Sequence, residues 1–468
     1  MDAARITRRV RSALRRDAQR LLIAGPPTAP LMPVIGPRVP DDARVQQVLD
    51  LCMRVGEVLL SSGESAGETS ETMLRLAAAA GLSAVDVDIT FTSITMCCHR
   101  GNAAAPVTSM RLVRYRTLDL TRLAAVNRIV DGVEQGRLDV SGGASALAEV
   151  VAASHPYPRW VATAGWAGLA GSIAALLGAG WSTALVAFVV TAMIDRTGRL
   201  LARLGLQAFF LQVAGGLLAT GSIIVLFAVG AFPPGTRPAL VVAASITVLL
   251  SGLSVVGTVQ DAIGGYYVTA AGRAAEIALL SAGLLTGVVL GLQLAAQVGV
   301  PLDAAGNLGR GTAGVLTGLA ASAAASAAFA LAGYAPLRAL PVAGAAGAAG
   351  WGTFVLLAQL AGAGPVPATA GAAMVVGMAA GLVRRVGSVP PLVVVLAGIT
   401  PLLPGLTAYR GFYQLAVEGV SGGLVTVTLA LAVGLAIAGG VAFGDLVTRP
   451  GRTPRPSPSE PPPDAEPH

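Results

Sequence analysis

Ionisable side chains are scarce in the C-terminal two thirds of this 468-residue chain, and four of them bracket two short polar segments. Asp261 and Glu276 enclose a segment rich in Gly and Tyr, and Arg410 and Glu418 enclose the other. A charged group among apolar residues is costly to bury and tends to serve binding or proton transfer. The competing interpretation is that both segments are ordinary solvated loops. The candidate site residues are Asp261, Gln260, Tyr266, Tyr267, Arg273, Glu276, Tyr409, Arg410 and Glu418.

Other chemistries lack their usual residues. The sequence has no phosphate-binding P-loop, so ATP-driven transport has no signature. Cys52, Cys97 and Cys98 form no CxxC pair, and the nearest histidines are His99 and His155. A structural zinc site needs four such ligands, so we expect buried thiols, no metal and no other cofactor. We also expect no enzymatic activity.

Composition indicates a membrane protein. The chain is 54% hydrophobic and only 12% charged, with a mean hydropathy of +0.70. A soluble protein of this size has about 25% charged residues. The 59 glycines suit helix interfaces in a bilayer, where small residues allow close packing. The net charge of +7 does not indicate a nucleic-acid partner, because the arginines concentrate at the ends of apolar segments.

Ten apolar segments follow Trp160, each close to the roughly 20 residues that cross a bilayer. Cytoplasmic loops carry an excess of basic residues. If both termini are placed in the cytoplasm, only three of the arginines in loops and the tail lie outside: Arg237, Arg310 and Arg410. Those inside are Arg196, Arg199, Arg203, Arg273, Arg338, Arg384, Arg385, Arg449, Arg452 and Arg455. The predicted spans are 160–178, 180–194, 205–229, 238–257, 274–298, 311–333, 339–361, 366–383, 389–404 and 419–446. We therefore expect a multi-pass protein of the inner membrane.

The predicted fold is an α-helical polytopic membrane protein of about ten spans in two five-helix halves, preceded by a small soluble α+β domain. Five spans per half is an odd number, so two similar halves would form an inverted repeat, as in many secondary transporters. The predicted parts are a basic, Pro-rich leader (1–40), a cytoplasmic α+β domain (41–158), membrane half one (159–300), membrane half two (301–447) and a disordered Pro-rich tail (448–468).

The α+β domain shows both helical and strand periodicities. Apolar residues of the segment 45–59 share one helical face. Ser65 and Glu68 form a capping box at the start of a second helix. Alternation over 85–91 predicts a strand, and further strands are expected at 94–99 and 107–115. Helices over 118–135 and 141–153 complete the predicted domain.

Several motifs resemble the threonine/serine exporter family. The resemblance covers roughly residues 44–446, and its parts occur in the family's order. It rests on residues 54–65 (RVGEVLLSSGES) with Glu68 and Glu71, 85–90 (VDVDIT), 260–267 (QDAIGGYY) with Arg273 and Glu276, and 401–405 (PLLPG) with Tyr409, Arg410 and Gly411.

The resemblance implies a secondary carrier that exports threonine and serine, driven by the membrane potential or proton gradient. Its partners would be these small molecules and the lipid bilayer. Both a monomer and a homo-oligomer are compatible with the sequence. Arg273 or Arg410 would then receive the substrate carboxylate, and Asp261 would exchange the coupling proton. Three alternatives remain: a dicarboxylate exporter of the same superfamily, a membrane-anchored enzyme with a hydrolase-like N-terminal domain, and a membrane sensor.

Overall fold

A computed structural model describes residues 41–448, apart from 101–103, 114–117, 231–233, 250–251, 300–313, 387–388, 390 and most of 405–419. The predicted leader, the outside loop with Arg310, the tail from residue 449, and the site candidates Tyr409 and Glu418 lie outside the described residues.

The N-terminal domain contains four helices and a three-stranded antiparallel sheet of order β1-β2-β3. The α+β prediction for this region agrees with these elements, and only their ends differ by a few residues. The elements are α1 (Asp42–Ser61), α2 (Ala66–Ala79), β1 (Val85–Thr90), β2 (Ser93–Cys98), β3 (Val107–Leu112), α3 (Leu120–Glu134) and α4 (Val140–Ala152).

The start of α2 is set by the predicted cap. The Ser65 hydroxyl accepts the Glu68 backbone N–H at 3.2 Å, which satisfies one of the free donors of the first turn. Gly63 lies between α1 and α2 and has φ +95°. Residues with a side chain rarely adopt this backbone conformation. The chain therefore reverses within a few residues, and Glu64 is placed between two helix ends.

The domain core is apolar and includes two of the three cysteines. Leu49, Met73 and Ile94 are buried, and Cys52 and Cys98 are buried free thiols. His99 Nε2 lies 2.9 Å from Asp86 Oδ2 on the exposed side of the sheet. His99 therefore lies on the surface of the domain.

The rest of the described chain is helical. These helices are α5 (Arg159–Leu176), α6 (Trp181–Arg203), α7 (Ala208–Ala228), α8 (Pro238–Leu249), α9 (Gly252–Ile263), α10 (Tyr267–Gln297), α11 (Val315–Ala332), α12 (Leu340–Val355), α13 (Pro365–Val386), α14 (Pro391–Gly398) and α15 (Val420–Thr448). Within the described residues six helical segments are long and apolar enough to cross a membrane, or seven if α8 and α9, which meet at 44°, form one span. The chain is thus mostly helical and multi-pass.

The helices pair in the same way before and after residue 300. In the first set, α5 packs on α6, α6 on α8 and α7 on α10. In the second set, α11 packs on α12, α12 on α14 and α13 on α15. Glycine allows the closest of these approaches, since a Cβ at Gly287 would overlap the Val213 carbonyl and one at Gly444 the Met374 carbonyl. The first helices of the two sets, α5 and α11, also pack together.

Candidate functional site between the N-terminal domain and the helices

Asp261, near the end of α9, is completely buried and forms an ion pair. Its Oδ2 lies 2.9 Å from Nη1 of Arg273 on α10, which is also buried. Its Oδ1 accepts the backbone N–H of Ala66 at 2.8 Å. Ala66 is the first residue of α2, and a helix N-terminus carries partial positive charge. The carboxylate of Asp261 is therefore stabilised by a guanidinium and by a helix of another domain.

Arg273 also reaches the N-terminal domain. Its Nη2 donates to the backbone carbonyl of Glu64 at 3.0 Å. Gly257 on α9 faces the guanidinium, and a Cβ there would lie only 3.0 Å from Nη1. The guanidinium of Arg273 is thus packed between α9 and the start of α2, and its Nη1 pairs with Asp261.

The Gly- and Tyr-rich segment is a tight helix end. Gly265 has φ +86°, and the Tyr266 N–H donates to the Asp261 carbonyl at 2.9 Å, the pattern of a Schellman motif. The two glycines therefore end α9, and α10 begins at once. Tyr266 lies against Gly67 of α2, whereas Tyr267 is exposed.

The hairpin between β1 and β2 also contacts α10. The Thr269 hydroxyl donates to the Ile89 carbonyl at 2.9 Å and accepts the Phe91 N–H at 3.0 Å. The Phe91 ring packs on Gly272, where a Cβ would be 2.9 Å from the ring. Thr269, Gly272 and Arg273 thus form one face of α10 that the N-terminal domain covers.

A second contact joins the same domain to the turn between α11 and α12. Leu120 N–H donates to the Gly333 carbonyl at 2.8 Å, and the Tyr157 hydroxyl donates to the Ala335 carbonyl. His155 stacks on Tyr334 with ring centroids 4.2 Å apart. His155 Nδ1 lies 3.0 Å from a carboxylate oxygen of the buried Asp119. His155 and Tyr157 therefore hold the end of the N-terminal domain against the α11–α12 turn.

Glu64, whose carbonyl accepts from Arg273, has a raised pKa. Burial raises the pKa of Glu64 to about 8, the negative charge of Glu68 adds to the shift, and the Arg273 guanidinium opposes it. Desolvation exceeds the opposing effect of the guanidinium. The Glu64 carboxyl group therefore holds its proton to higher pH than an ordinary glutamate does.

The remaining candidate residues are less buried than Asp261 and Arg273, or lie outside the described residues. Gln260 and Glu276 are partly buried on α9 and α10. Arg410 is exposed in the second polar segment, whose partners Tyr409 and Glu418 lie outside the described residues. Among the residues that the structure places, no group of three or more His, Cys, Asp or Glu could hold a metal ion.

Sequence reasoning missed the domain's own part in the site. Glu64, Ala66 and Phe91 were not candidates, and neither was Thr269. The capping box at Ser65 located the helix N-terminus, but nothing in the sequence indicated which carboxylate lies on it.

Comparison with known families decides the identity. A sequence profile described as "Putative threonine/serine exporter" matches residues 50–295, about half of the chain. A second, described as "Threonine/Serine exporter, ThrE", matches residues 318–447. The chain belongs to the threonine/serine exporter family.

Named relatives of the exporter family agree with this assignment. The chain is 38% identical over 420 residues to the "Probable threonine/serine exporter" of Mycobacterium tuberculosis, covering 88% of this chain and 78% of the relative. It is 34% identical over 438 residues to the "Threonine/serine exporter" of Corynebacterium glutamicum, covering 92% and 88%. The "Probable succinate transporter subunit YjjP" of Escherichia coli is 26% identical over 248 residues, covering 53% of this chain and 94% of that subunit. These names describe transporters and not enzymes. No solved structure matches the chain.

Proposed function

We propose that this chain exports threonine and serine across the inner membrane, driven by the proton-motive force. The observation that carries the proposal is the buried Asp261–Arg273 pair beneath the N-terminal domain. A zwitterionic amino acid needs an anion for its ammonium and a cation, best a bidentate guanidinium, for its carboxylate. In the absence of substrate Asp261 and Arg273 satisfy each other, so neither charge is left buried and unpaired.

In this mechanism the N-terminal domain is the gate to the site. The Ala66 N–H occupies one hydrogen-bonding position on Asp261, and the Glu64 carbonyl occupies one on Arg273. Substrate can enter only when the domain moves away from α9 and α10. Substrate ammonium then pairs with Asp261 and substrate carboxylate with Arg273, so the two charges exchange partners without being left unpaired.

The site favours an amino acid over a dicarboxylate. The Escherichia coli relative named as a succinate transporter subunit makes dicarboxylate export the second candidate. A dicarboxylate carries two negative charges, and at this contact it would meet Arg273 beside the carboxylate of Asp261. One guanidinium beside one carboxylate suits a molecule of zero net charge.

We also propose ten spans in two inverted halves with both termini in the cytoplasm. The matched helix pairs before and after residue 300 support the repeat. The arginine distribution supports the orientation. In this arrangement α8 and α9 together form one bent span, the fourth of the first half. Its counterpart in the second half is the short helix α14.

The topology can be measured by cysteine labelling. In a protein with Cys52, Cys97 and Cys98 replaced, we expect an Asn307→Cys variant to react with a membrane-impermeant maleimide in intact cells. An exposed N-terminal position such as Ala78→Cys should react only after permeabilisation. Reaction of Asn307→Cys only in permeabilised cells would contradict the ten-span arrangement.

Efflux in a defined system tests the function itself. Purified protein would be reconstituted in vesicles loaded separately with labelled threonine, serine, leucine and succinate. With an imposed inward proton gradient, we expect threonine and serine efflux to exceed protein-free controls at least tenfold, and a protonophore to abolish the gain. Faster succinate than threonine efflux would favour the dicarboxylate exporter. If no substrate leaves the vesicles and the N-terminal domain has hydrolase activity, the result would favour the membrane-anchored enzyme instead of the exporter.

A further inference from the structure

Three consecutive backbone carbonyls after α11, at residues 333–335, accept hydrogen bonds from the N-terminal domain. In the order of these acceptors, the donors are the Leu120 N–H at 2.8 Å, the Thr121 hydroxyl at 2.5 Å and the Tyr157 hydroxyl. Residues 333 and 335 are buried, and a buried carbonyl without a donor is costly. The turn between α11 and α12 therefore depends on the domain for its hydrogen bonds.

The side chain of Tyr334 adds a ring contact at the same turn. Its ring stacks on His155 and lies 5.8 Å, centroid to centroid, from the ring of Tyr157. Nδ1 of His155 in turn lies 3.0 Å from Oδ2 of Asp119, whose side chain is only 3% exposed. Asp119 caps α3 by accepting the Arg122 N–H at 2.9 Å. Tyr334 is thus connected through His155 to the start of α3.

Tyr334 makes this contact in a backbone conformation that favours glycine. Its φ is +59°, and among the described residues the other non-glycine residue with positive φ is Phe91, at +51°. Residues with a side chain keep such a conformation only where the surrounding contacts hold them, and they concentrate at binding and switching sites. Each of these two residues carries the aromatic ring at one of the two contacts between the domain and the helices: Phe91 on Gly272, and Tyr334 on His155.

The two contacts differ in how far the domain can move away from them. Tyr157 lies two residues before Arg159, the first residue of α5, and α5 packs on α11. Two residues span at most about 7 Å, so the end of the domain stays near the Tyr334 turn as long as α5 stays on α11. The other contact has no such tether, because Phe91 and Thr269, which meet there, are 178 positions apart in the chain.

We propose that Tyr334 is a positioning residue for the buried Asp261–Arg273 pair. It holds the pivot on which the N-terminal domain turns, so that the Phe91 contact opens above the pair while the Tyr334 contact stays closed. This role rests on the proposed function, since the pivot matters for transport only if the domain gates the site. Helices α9 and α10 precede residue 300, whereas α11 and α12 follow it. A displacement of one set of helices against the other therefore turns the domain and uncovers Arg273.

A disulfide across the pivot tests whether this contact stays closed. A Cβ at Gly333 would lie 3.3 Å from Cγ of Leu118, the position that a cysteine sulfur would take. In a protein lacking the three native cysteines, Leu118→Cys with Gly333→Cys should therefore form a disulfide on mild oxidation. We expect threonine efflux from proteoliposomes to stay within about twofold of its reduced level. A fall to a few per cent that dithiothreitol reverses would show that this contact opens during transport, which would overturn the pivot.

Two replacements of Tyr334 separate the effect of its ring from that of its backbone. Tyr334→Gly suits the left-handed backbone, so the turn should fold as before, but the ring that stacks on His155 is lost. Tyr334→Phe keeps the ring and is the matched control. At equal amounts of inserted protein, we expect threonine efflux to fall at least about tenfold with Tyr334→Gly and to stay within about twofold with Tyr334→Phe. Normal efflux by Tyr334→Gly would contradict the role of Tyr334.

The pivot disulfide should also rescue the Tyr334→Gly variant. Oxidation of Leu118→Cys with Gly333→Cys in that variant replaces the lost ring contact by a covalent bond at the same turn. We expect most of the lost efflux to return on oxidation and to disappear again with dithiothreitol. Efflux that stays low after complete oxidation would mean that Tyr334 does not act through the pivot.

A cysteine beneath the hairpin reports opening of the gate without relying on export. Thr269, 1% exposed, is replaced by cysteine in the background lacking native cysteines, and its reaction with maleimide is followed in inside-out vesicles. Without the pivot the domain leaves α10 more often, so Tyr334→Gly should label at least about tenfold faster than Tyr334→Phe.

Labelling and efflux together separate the two proposals. If labelling differs in this way but the unaltered protein exports neither threonine nor serine, the pivot is right and the proposed substrate is wrong. If the unaltered protein exports threonine but the two Tyr334 variants label and export alike, the pivot is wrong and the exporter stands.

Discussion

Asp261→Asn is expected to reduce threonine efflux at least about 100-fold. The substitution keeps the shape of the side chain but leaves Arg273, only 3% exposed, without its counter-charge. Removing one partner of a buried ion pair costs about 3–5 kcal/mol, and this cost falls on the docked arrangement of the N-terminal domain. The substrate ammonium also loses its anion. Efflux would be measured in proteoliposomes containing equal amounts of inserted protein.

A double variant separates the two effects of this substitution. Asp261→Asn with Arg273→Gln removes the stranded charge and leaves two side chains that can hydrogen-bond to each other. We expect the domain to dock again, seen as protection of a Thr269→Cys reporter, while efflux stays low because both substrate-binding charges are gone. If the double variant recovers efflux, the pair serves docking alone.

Asp445→Asn is the matched control. Asp445 pairs with Arg384 across α13 and α15 at 2.7 Å, but the Arg384 side chain is 46% exposed. Water can solvate that guanidinium, so losing its partner should cost no more than about 1 kcal/mol. We expect efflux within about twofold of the unaltered protein. Normal efflux by Asp261→Asn would instead make Asp261 a structural charge and Glu276 the next candidate.

The sequence predicts much of this fold because its local signals are strong. Apolar runs of about twenty residues locate the helices, and alternation at 85–90 locates β1. Ser65 and Glu68 mark the start of α2, which the structure confirms. In each of these cases the residues that determine the element lie within it.

The site was predicted only in part, because its partners are distant in the sequence. Asp261 and Arg273 were both candidates, but they lie on neighbouring helices whose packing no local pattern reveals. Ala66 is 195 positions from Asp261, and alanine contributes only its backbone N–H, which carries no signal in the sequence. Paired glycines fit an unwound segment and a helix end equally well. Only the tertiary arrangement distinguishes the two.

A disulfide across the hairpin contact is expected to stop transport. A Cβ at Gly272 would lie 3.4 Å from the Cβ of Phe91, close to the separation found in natural disulfides. In a background lacking the native cysteines, Phe91→Cys with Gly272→Cys should form this bond on mild oxidation and hold the domain on α10. Threonine efflux should fall to a few per cent of its reduced level and return with dithiothreitol.

The control disulfide lies wholly inside the N-terminal domain. A Cβ at Gly132 would be 3.9 Å from that of Leu138, so Gly132→Cys with Leu138→Cys adds a similar bond without joining the domain to a helix. Its oxidation should leave efflux within about twofold. The domain contacts both the α9–α10 turn and the α11–α12 turn, so it touches helices on both sides of residue 300, which the proposed alternating access would move relative to each other. If the oxidised Phe91–Gly272 pair still transports, the domain stays docked throughout the cycle and substrate reaches Asp261 by another route.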